Sequence, residues 1–272
     1  MYGDGESETY FGEALRGRRD QFIVSTKTYL NDRGTTPVAR HLRERLEESL
    51  RKLETDYVDL YQIHRADPSV PSEEVMQCLA DLVELGMVRA IGCSNYSSWR
   101  LVESNMCAQS VHAPAFVSIQ REYSLLNRSA ESELTGACER FGVSLIPYYP
   151  LASGLLWREK MNGDERFKLG AVAKPGHIAR TKDVLSGLSQ FARDRDHALG
   201  ELAIAWLCAK EVVGPVITGV RSSEQLRANV RASAWQLTPE EMAKVNEISS
   251  TGDEVRADDP FGKLSAPVTK LI

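Results

Sequence analysis

Short apolar runs recur along this chain and predict buried β-strands. They lie at 22–27, 58–64, 88–93, 116–121, 143–148 and 212–218. Most of these runs are continuous rather than alternating, which is typical of parallel strands that are covered on both faces. The pattern therefore predicts a buried parallel sheet.

Amphipathic stretches separate the apolar runs. Over residues 38–53, Leu42, Leu46, Leu50 and Leu53 form one apolar stripe with charged residues opposite, which predicts a helix. Further helices are predicted at 7–16, 72–85, 97–108, 130–141, 198–210, 222–232 and 240–249.

The alternation of strands and helices predicts an α/β fold with a parallel sheet. A (β/α)8 TIM barrel takes about 250 residues, or roughly 30 for each βα unit. About six units are recognisable, and residues 151–196, with several glycines and many charges, are predicted to form a long connection. We therefore predict a single barrel domain over residues 1–272 that is truncated at its N-terminus by about two units.

The composition narrows the possible functions. Of the 272 residues, 42% are hydrophobic and 26% are charged, and the net charge of -5 provides no general positive field for nucleic acid. No apolar run reaches the ~20 residues that span a bilayer, and no signal peptide opens the chain, so no membrane partner is expected. The five cysteines lack metal-binding spacing and predict reduced thiols in a cytoplasmic protein without a metal site.

Three polar side chains stand where barrel strands would end. Lys27 closes the first apolar run and His64 closes the second, while Tyr2 is the second residue of the chain. Together, a phenol, an ammonium and an imidazole can donate a proton to a carbonyl oxygen. The cation lowers the phenol pKa from about 10, and the histidine can relay the proton or orient the substrate. Taken singly, Tyr2 would be a frayed terminal aromatic, Lys27 a salt-bridge partner and His64 a core or rim histidine.

Seven groups of residues, in order, resemble motifs of the aldo-keto reductases. They are Tyr2–Glu8 with Gly12–Leu15, Val24–Lys27, Asp56–His64, Ile91–Asn95, Gln120–Ser124, Pro147–Leu156 and Gly219–Asn229. Any one motif is weak, whereas seven in register are strong. The aspartate that this family places shortly before its tyrosine would precede Met1, so the resemblance implies a truncated start or a short, inactive form.

The resemblance also implies a role for each site residue. Tyr2 would be the general acid, Lys27 would tune it, and His64 would be the third catalytic member. The residues implied for NADPH (NADP+) are Ser94, Asn95 and Gln120 at the nicotinamide carboxamide, Tyr148 on the nicotinamide ring, Leu151, Ser153 and Leu155 along the pyrophosphate, and Gly219, Arg221, Gln225 and Asn229 at the 2′-phosphate and adenine. Taken singly, Asn95 could cap the next helix, Tyr148 could pack in the core, and Arg221 could be solvated surface.

These residues imply NADPH-dependent reduction of an aldehyde or ketone to an alcohol by hydride transfer. One alternative is a nucleotide-binding regulatory subunit resembling potassium-channel β subunits, which belong to the same family. The other is an inactive truncated form. The sequence does not indicate which carbonyl compound is the substrate, which direction the reaction takes, or the oligomeric state.

Overall fold

Five strands form one sheet in the computed structural model, which describes residues 5–157 and 175–250. The strands are β1 (Ser25–Thr28), β2 (Val58–Ile63), β3 (Val88–Ser94), β4 (Ser118–Glu122) and β5 (Ser144–Tyr148). They lie side by side in chain order, and the pairs β1–β2, β2–β3 and β3–β4 are parallel. The predicted parallel α/β sheet is confirmed.

Helices alternate with the strands and then follow them. They are α1 (Glu6–Leu15), α2 (Val38–Leu53), α3 (Ser72–Glu84), α4 (Ser98–Ser110), α5 (Leu134–Phe141), α6 (Pro175–Arg193), α7 (Leu199–Cys208), α8 (Ser223–Ala232) and α9 (Pro239–Ser249). Every predicted helix is present within a few residues of its predicted bounds, and α6 is additional.

Helix α6 corrects the prediction that residues 151–196 form a connection throughout. Val184, Leu185, Leu188 and Phe191 are buried along it. Leu188 lies four residues after Val184, three after Leu185 and three before Phe191, which is the spacing of one helix face. The glycines and charges earlier in the segment hid this short stripe, so the sequence interpretation extended the connection too far.

The predicted strand at 212–218 is wrong. No strand forms there in the described structure, although Ile217 N donates to Pro147 O at 3.0 Å, near the end of β5. Pro215 interrupts the run and has no backbone N–H to give to a ladder. An apolar composition alone was therefore an insufficient signal for a strand.

The chain divides into two compact units. The first comprises the residues up to Arg121 together with Glu133–Ile146, and the second comprises Glu122–Ser132 together with the residues from Pro147 onward. The first unit thus carries β1, β2, β3 and most of β4 and β5. The single barrel domain over residues 1–272 stays a prediction.

The leucine stripe of α2 forms part of the core of the first unit. Leu42 and Leu46 are fully buried, and the Tyr61 hydroxyl of β2 donates to Leu42 O at 3.1 Å. Helix α1 packs against α2 at Gly12, where an added Cβ would lie 2.5 Å from Lys52 O. Glycine therefore permits the close approach of the two helices.

Trp206 of α7 lies in the core of the second unit. It is fully buried, and its Nε1 donates to Asn246 Oδ1 of α9 at 3.0 Å. In the segment after β4, Glu131 accepts from Arg128 Nη2 at 2.7 Å and from the Tyr123 hydroxyl at 2.5 Å. The Arg128 guanidinium also lies 5.3 Å from the Trp206 ring centre. These contacts hold the segment after β4 against α7.

Candidate active site

Polar side chains gather at the carboxyl ends of neighbouring strands in the first unit. Lys27 lies in β1, His64 directly follows β2, Ser94 ends β3 and Gln120 lies in β4. Ser94 is paired with Gln120 across β3 and β4, and Lys27 is paired with Gln62 across β1 and β2. Since the carboxyl ends of parallel strands meet at one edge of a sheet, the register brings these predicted residues together.

Lys27 and Gln120 are in direct contact. Lys27 Nζ donates to Gln120 Oε1 at 3.1 Å, although the two residues lie on strands β1 and β4. Burial lowers the pKa of the Lys27 ammonium from its ordinary value. A half-buried cation therefore lies among polar side chains at the strand ends.

The His64 imidazole is held in its neutral form. Its pKa is lowered to about 4, first by burial and then by the positive charges of Lys27 and Arg65. Its Nδ1 is buried and has no hydrogen-bond partner among the described residues. The ring lies parallel to the Tyr29 ring, with centroids 4.3 Å apart and an interplanar angle of 5°. At neutral pH the ring thus offers one N–H and one lone pair rather than a positive charge.

Asn95 ties the ends of three strands together. Its backbone is left-handed, with φ of 58°, and its Nδ2 donates to His64 O at 3.2 Å and to Ser94 Oγ at 3.1 Å. Its backbone N donates to Gln120 O at 3.0 Å, and Ser94 Oγ donates to the same oxygen at 3.1 Å. The alternative that Asn95 caps the next helix is wrong, because Ser97 is the N-cap of α4.

A second layer of polar side chains lies one step deeper in the sheet and was not predicted. Gln62 and Ser118 of this layer are buried, while Ser25 is exposed. Ser25 Oγ donates to Gln62 Oε1 at 3.2 Å, and Gln62 Nε2 donates to Cys93 O at 3.4 Å. Ser118 Oγ is buried and has no partner in the described structure, and it would lie 2.5 Å from a Cβ at Gly92. Polar residues inside otherwise apolar runs were the available signal for this layer.

Tyr148 and the residues after it belong to the second unit. Tyr148 ends β5 and is half-buried, so it is not a fully packed core residue, and its ring contacts that of Tyr149 edge-on at 5.2 Å. The backbone then turns through left-handed conformations at Ala152, Ser153 and Gly154. Such a turn presents main-chain groups rather than side chains, which suits a phosphate-binding loop.

The side chains predicted along the pyrophosphate differ in exposure. Ser153 is exposed, Leu151 is half-buried and Leu155 is 5% exposed. Leu155 can therefore offer a ligand its backbone but little of its side chain. The prediction for this residue narrows to a main-chain contact.

Four residues predicted to bind the adenosine end lie in α8 or within a few residues before it. Arg221 is exposed and immediately precedes Ser222, the N-cap, while Gln225 Oε1 accepts from Arg221 N at 2.8 Å. Asn229 is 7% exposed, and its buried Oδ1 has no hydrogen-bond partner among the described residues. Gly219 is exposed, and apart from the residue itself and its chain neighbours no described atom lies within 4 Å of where its Cβ would be.

Tyr2, the predicted general acid, lies outside the described residues.

The described part of the chain contains no cluster of histidine, cysteine or acidic residues that could hold a metal ion. None of its helices is long and apolar enough to cross a membrane.

Comparison with known proteins identifies the family. The model of the aldo/keto reductase family matches residues 1–250. The chain belongs to the aldo/keto reductase family. It is accordingly an oxidoreductase of the type that acts on small-molecule carbonyl compounds, and its parallel α/β fold is that of the family's TIM barrel.

Three curated relatives illustrate the range of this family. Aldo-keto reductase AMT2 of Alternaria alternata is 32% identical over 96% of this chain and 78% of its own length. Aldo-keto reductase YhdN of Bacillus subtilis is 32% identical over 99% of this chain and 82% of its own length. A probable voltage-gated potassium channel subunit beta of Oryza sativa is 31% identical over 91% of this chain and 80% of its own length.

One contact at the strand ends could not be predicted from the sequence motifs. The stacking of Tyr29 on His64 joins residues that follow different strands. The available signal was an aromatic residue two positions after Lys27, and it carries no indication of its partner.

Proposed function

We propose that this chain reduces an aldehyde or ketone to an alcohol with NADPH. The observation that carries the proposal is the 3.1 Å contact between Lys27 Nζ and Gln120 Oε1. It joins a residue proposed to tune the proton donor to a residue proposed to bind the nicotinamide carboxamide. Proton transfer and cofactor binding would then occur side by side, as carbonyl reduction requires.

Each polar residue at the strand ends has a separate task in this proposal. NADPH, when bound, supplies the hydride for the carbonyl carbon. Tyr2 would give its proton to the carbonyl oxygen, and the Lys27 cation would stabilise the resulting phenolate and so lower the phenol pKa.

The neutral state of His64 favours one of its two predicted roles. An imidazole with a pKa of about 4 is a weak base at neutral pH, which disfavours a proton relay through its charged form. A neutral ring can still donate a hydrogen bond to the carbonyl oxygen. We therefore assign His64 to orienting the substrate oxygen.

The residues around α8 support NADPH rather than NADH. Arg221 brings a guanidinium to the start of a helix, where backbone N–H groups and the helix dipole favour a phosphate monoester. The open acceptor Asn229 Oδ1 suits a donor such as the adenine amino group. The chain's own residues thus fit a dinucleotide that carries a 2′-phosphate.

Steady-state oxidation of NADPH, followed by its absorbance with a panel of aliphatic and aromatic aldehydes, tests the proposed reaction. We expect turnover with several aldehydes and a loss of about 100-fold in kcat when Lys27 is replaced by methionine, because general acid–base assistance is typically worth this much or more. If the purified chain binds NADPH but reduces none of the aldehydes or a matching set of ketones, the proposal is overturned.

Replacing Arg221 tests the choice of cofactor. We expect Arg221→Ala to weaken NADPH binding by about tenfold or more and to leave NADH binding nearly unchanged, because only NADPH carries the 2′-phosphate. Fluorescence titration with both nucleotides measures the two dissociation constants. Arg227→Ala removes an exposed arginine within α8 and is the matched control. An equal loss for both nucleotides would contradict a contact with the 2′-phosphate.

A regulatory subunit is the second candidate, and the relative from Oryza sativa favours keeping it. Such a protein would bind the nucleotide at the same residues but turn substrate over slowly. Single-turnover and steady-state rates separate the two candidates. Rapid multiple turnover supports an enzyme, whereas tight NADPH binding with very slow turnover supports the regulatory subunit.

We also propose that the protein works in the cytoplasm. All five cysteines are free thiols, and Cys93 and Cys138 are buried. Free thiols are typical of proteins from a reducing compartment.

A further inference from the structure

The Tyr29 ring covers one face of the His64 ring. Their centroids are 4.3 Å apart and the rings are inclined by only 5°. Tyr29 directly follows β1 and His64 directly follows β2, so the stack joins the ends of two paired strands. Lys27 is two residues before Tyr29, and its positive charge acts on the His64 ring.

A histidine of α2, His41, contacts the backbone of Tyr29. His41 Nε2 lies 2.9 Å from Tyr29 O and 3.1 Å from Asp32 Oδ1. Both oxygens can only accept, so Nε2 carries the hydrogen and Nδ1 does not need it for either contact. Because His41 is 6% exposed, this anchor is shielded from water.

Among the described residues, none provides the hydrogen bond that usually fixes a functional imidazole to the His64 ring. A histidine ring is commonly oriented by a hydrogen bond to its second nitrogen. Here Nδ1 is buried without a hydrogen-bond partner in the described residues. The backbone of His64 is held, since its N donates to Thr28 O at 2.7 Å and its O accepts from Asn95 Nδ2 at 3.2 Å. These bonds leave the rotation of the ring to its packing.

We propose that Tyr29 is the positioning residue that sets the ring plane of His64, and that His41 anchors Tyr29 for this purpose. The catalytic consequence rests on the proposed carbonyl reduction, in which His64 orients the substrate oxygen. Tyr29 acts through His64, and its phenol hydroxyl takes no part in the stack.

The stack also limits the access of water to His64. The charged groups that act on the imidazole are Lys27 from β1 and Arg65, its neighbour in the chain, and both oppose its protonation. Removing the Tyr29 ring would hydrate the imidazole while leaving these two cations in place. The pKa of His64 would then rise towards its ordinary value without reaching it.

Substitution at Tyr29 with NMR titration of the His64 ring tests the proposal without requiring turnover. We expect Tyr29→Leu to raise the pKa of His64, to shift its ring resonances and to lower kcat by about tenfold, with NADPH affinity retained. Tyr29→Phe keeps the aromatic face and should restore all three properties. Tyr10→Leu replaces an exposed tyrosine of α1 and is the matched control.

The anchor provides a second test in case Tyr29→Leu fails to fold, which circular dichroism would reveal. His41→Gln keeps an N–H donor for Tyr29 O, whereas His41→Leu removes it. We expect the leucine variant alone to move the His64 resonances.

The proposal is overturned if folded Tyr29→Leu leaves the His64 titration unchanged, or if both His41 variants leave the His64 resonances in place. If no variant, including the parent, reduces a carbonyl compound, the proposed function fails while the NMR data still decide the role of Tyr29.

Discussion

At the scale of single residues, His64 couples the candidate site to the stability of the protein. Its pKa is about 4 in the folded chain and about 6.5 in an unfolded one. A proton therefore binds more readily to the unfolded state between these two values. The contribution of neutral His64 to the free energy of unfolding is therefore fully present above about pH 6.5 and is lost as the pH falls through about 4.

The lowered pKa of His64 predicts that part of the pH dependence of the free energy of unfolding comes from this one side chain. We expect the free energy of unfolding to fall between about pH 7 and about pH 4.5, and to fall less in His64→Gln, which takes up no proton. Urea denaturation of both proteins at the two pH values gives the comparison. Carboxylates such as Glu131 lose their partners in acid in both proteins, so only the difference is assigned to His64. An identical pH dependence in the variant would show that the pKa of His64 is not depressed.

At the scale of secondary-structure elements, the close packing of α1 on α2 depends on glycine at position 12. An alanine Cβ at Gly12 would lie 2.5 Å from Lys52 O and 2.8 Å from Leu53 C, and these backbone atoms cannot rotate away. We expect Gly12→Ala to destabilise the fold by about 1–3 kcal/mol through overpacking. Thermal and urea denaturation would measure the loss.

Gly136 in α5 provides a control, because alanine at this position is not expected to destabilise the fold. Apart from its chain neighbours and the backbone of its own helix, no described atom lies within 4 Å of the position of its Cβ. Gly136→Ala should therefore leave stability unchanged or raise it by up to about 1 kcal/mol, because alanine favours the helix. A similar loss at both glycines would show that the contact with α2 does not explain the effect at Gly12, because alanine favours the helix at both positions.

The elements show which kinds of structure the sequence predicts well. The stripe on α2 is a local pattern with a period that fits only a helix, and its leucines are buried as expected. The strand-end positions of Lys27 and His64 could be predicted because each residue closes an apolar run. The stack of Tyr29 on His64 was missed, since it depends on the register of β1 and β2 rather than on any local pattern.

At the scale of the whole molecule, the path of the chain links its two compact units. The chain passes from one unit to the other after Arg121, after Ser132 and after Ile146. Both β4 and β5 contribute residues to the first unit and to the second. Unfolding one unit would therefore remove the ends of strands that the other requires.

This chain path predicts that the protein unfolds in a single cooperative transition. Trp206 is fully buried and reports on the second unit, while far-UV circular dichroism reports on all helices and strands. In a protein that carries Trp99→Phe, Trp157→Phe and Trp235→Phe, we expect the fluorescence of Trp206 and the dichroism to change with the same midpoint, as two-state unfolding requires. The unsubstituted chain, followed by dichroism alone, is the control for the effect of the three replacements. Two separate dichroism transitions, with Trp206 following only one of them, would show that the units fold independently and would contradict the prediction of a single barrel domain.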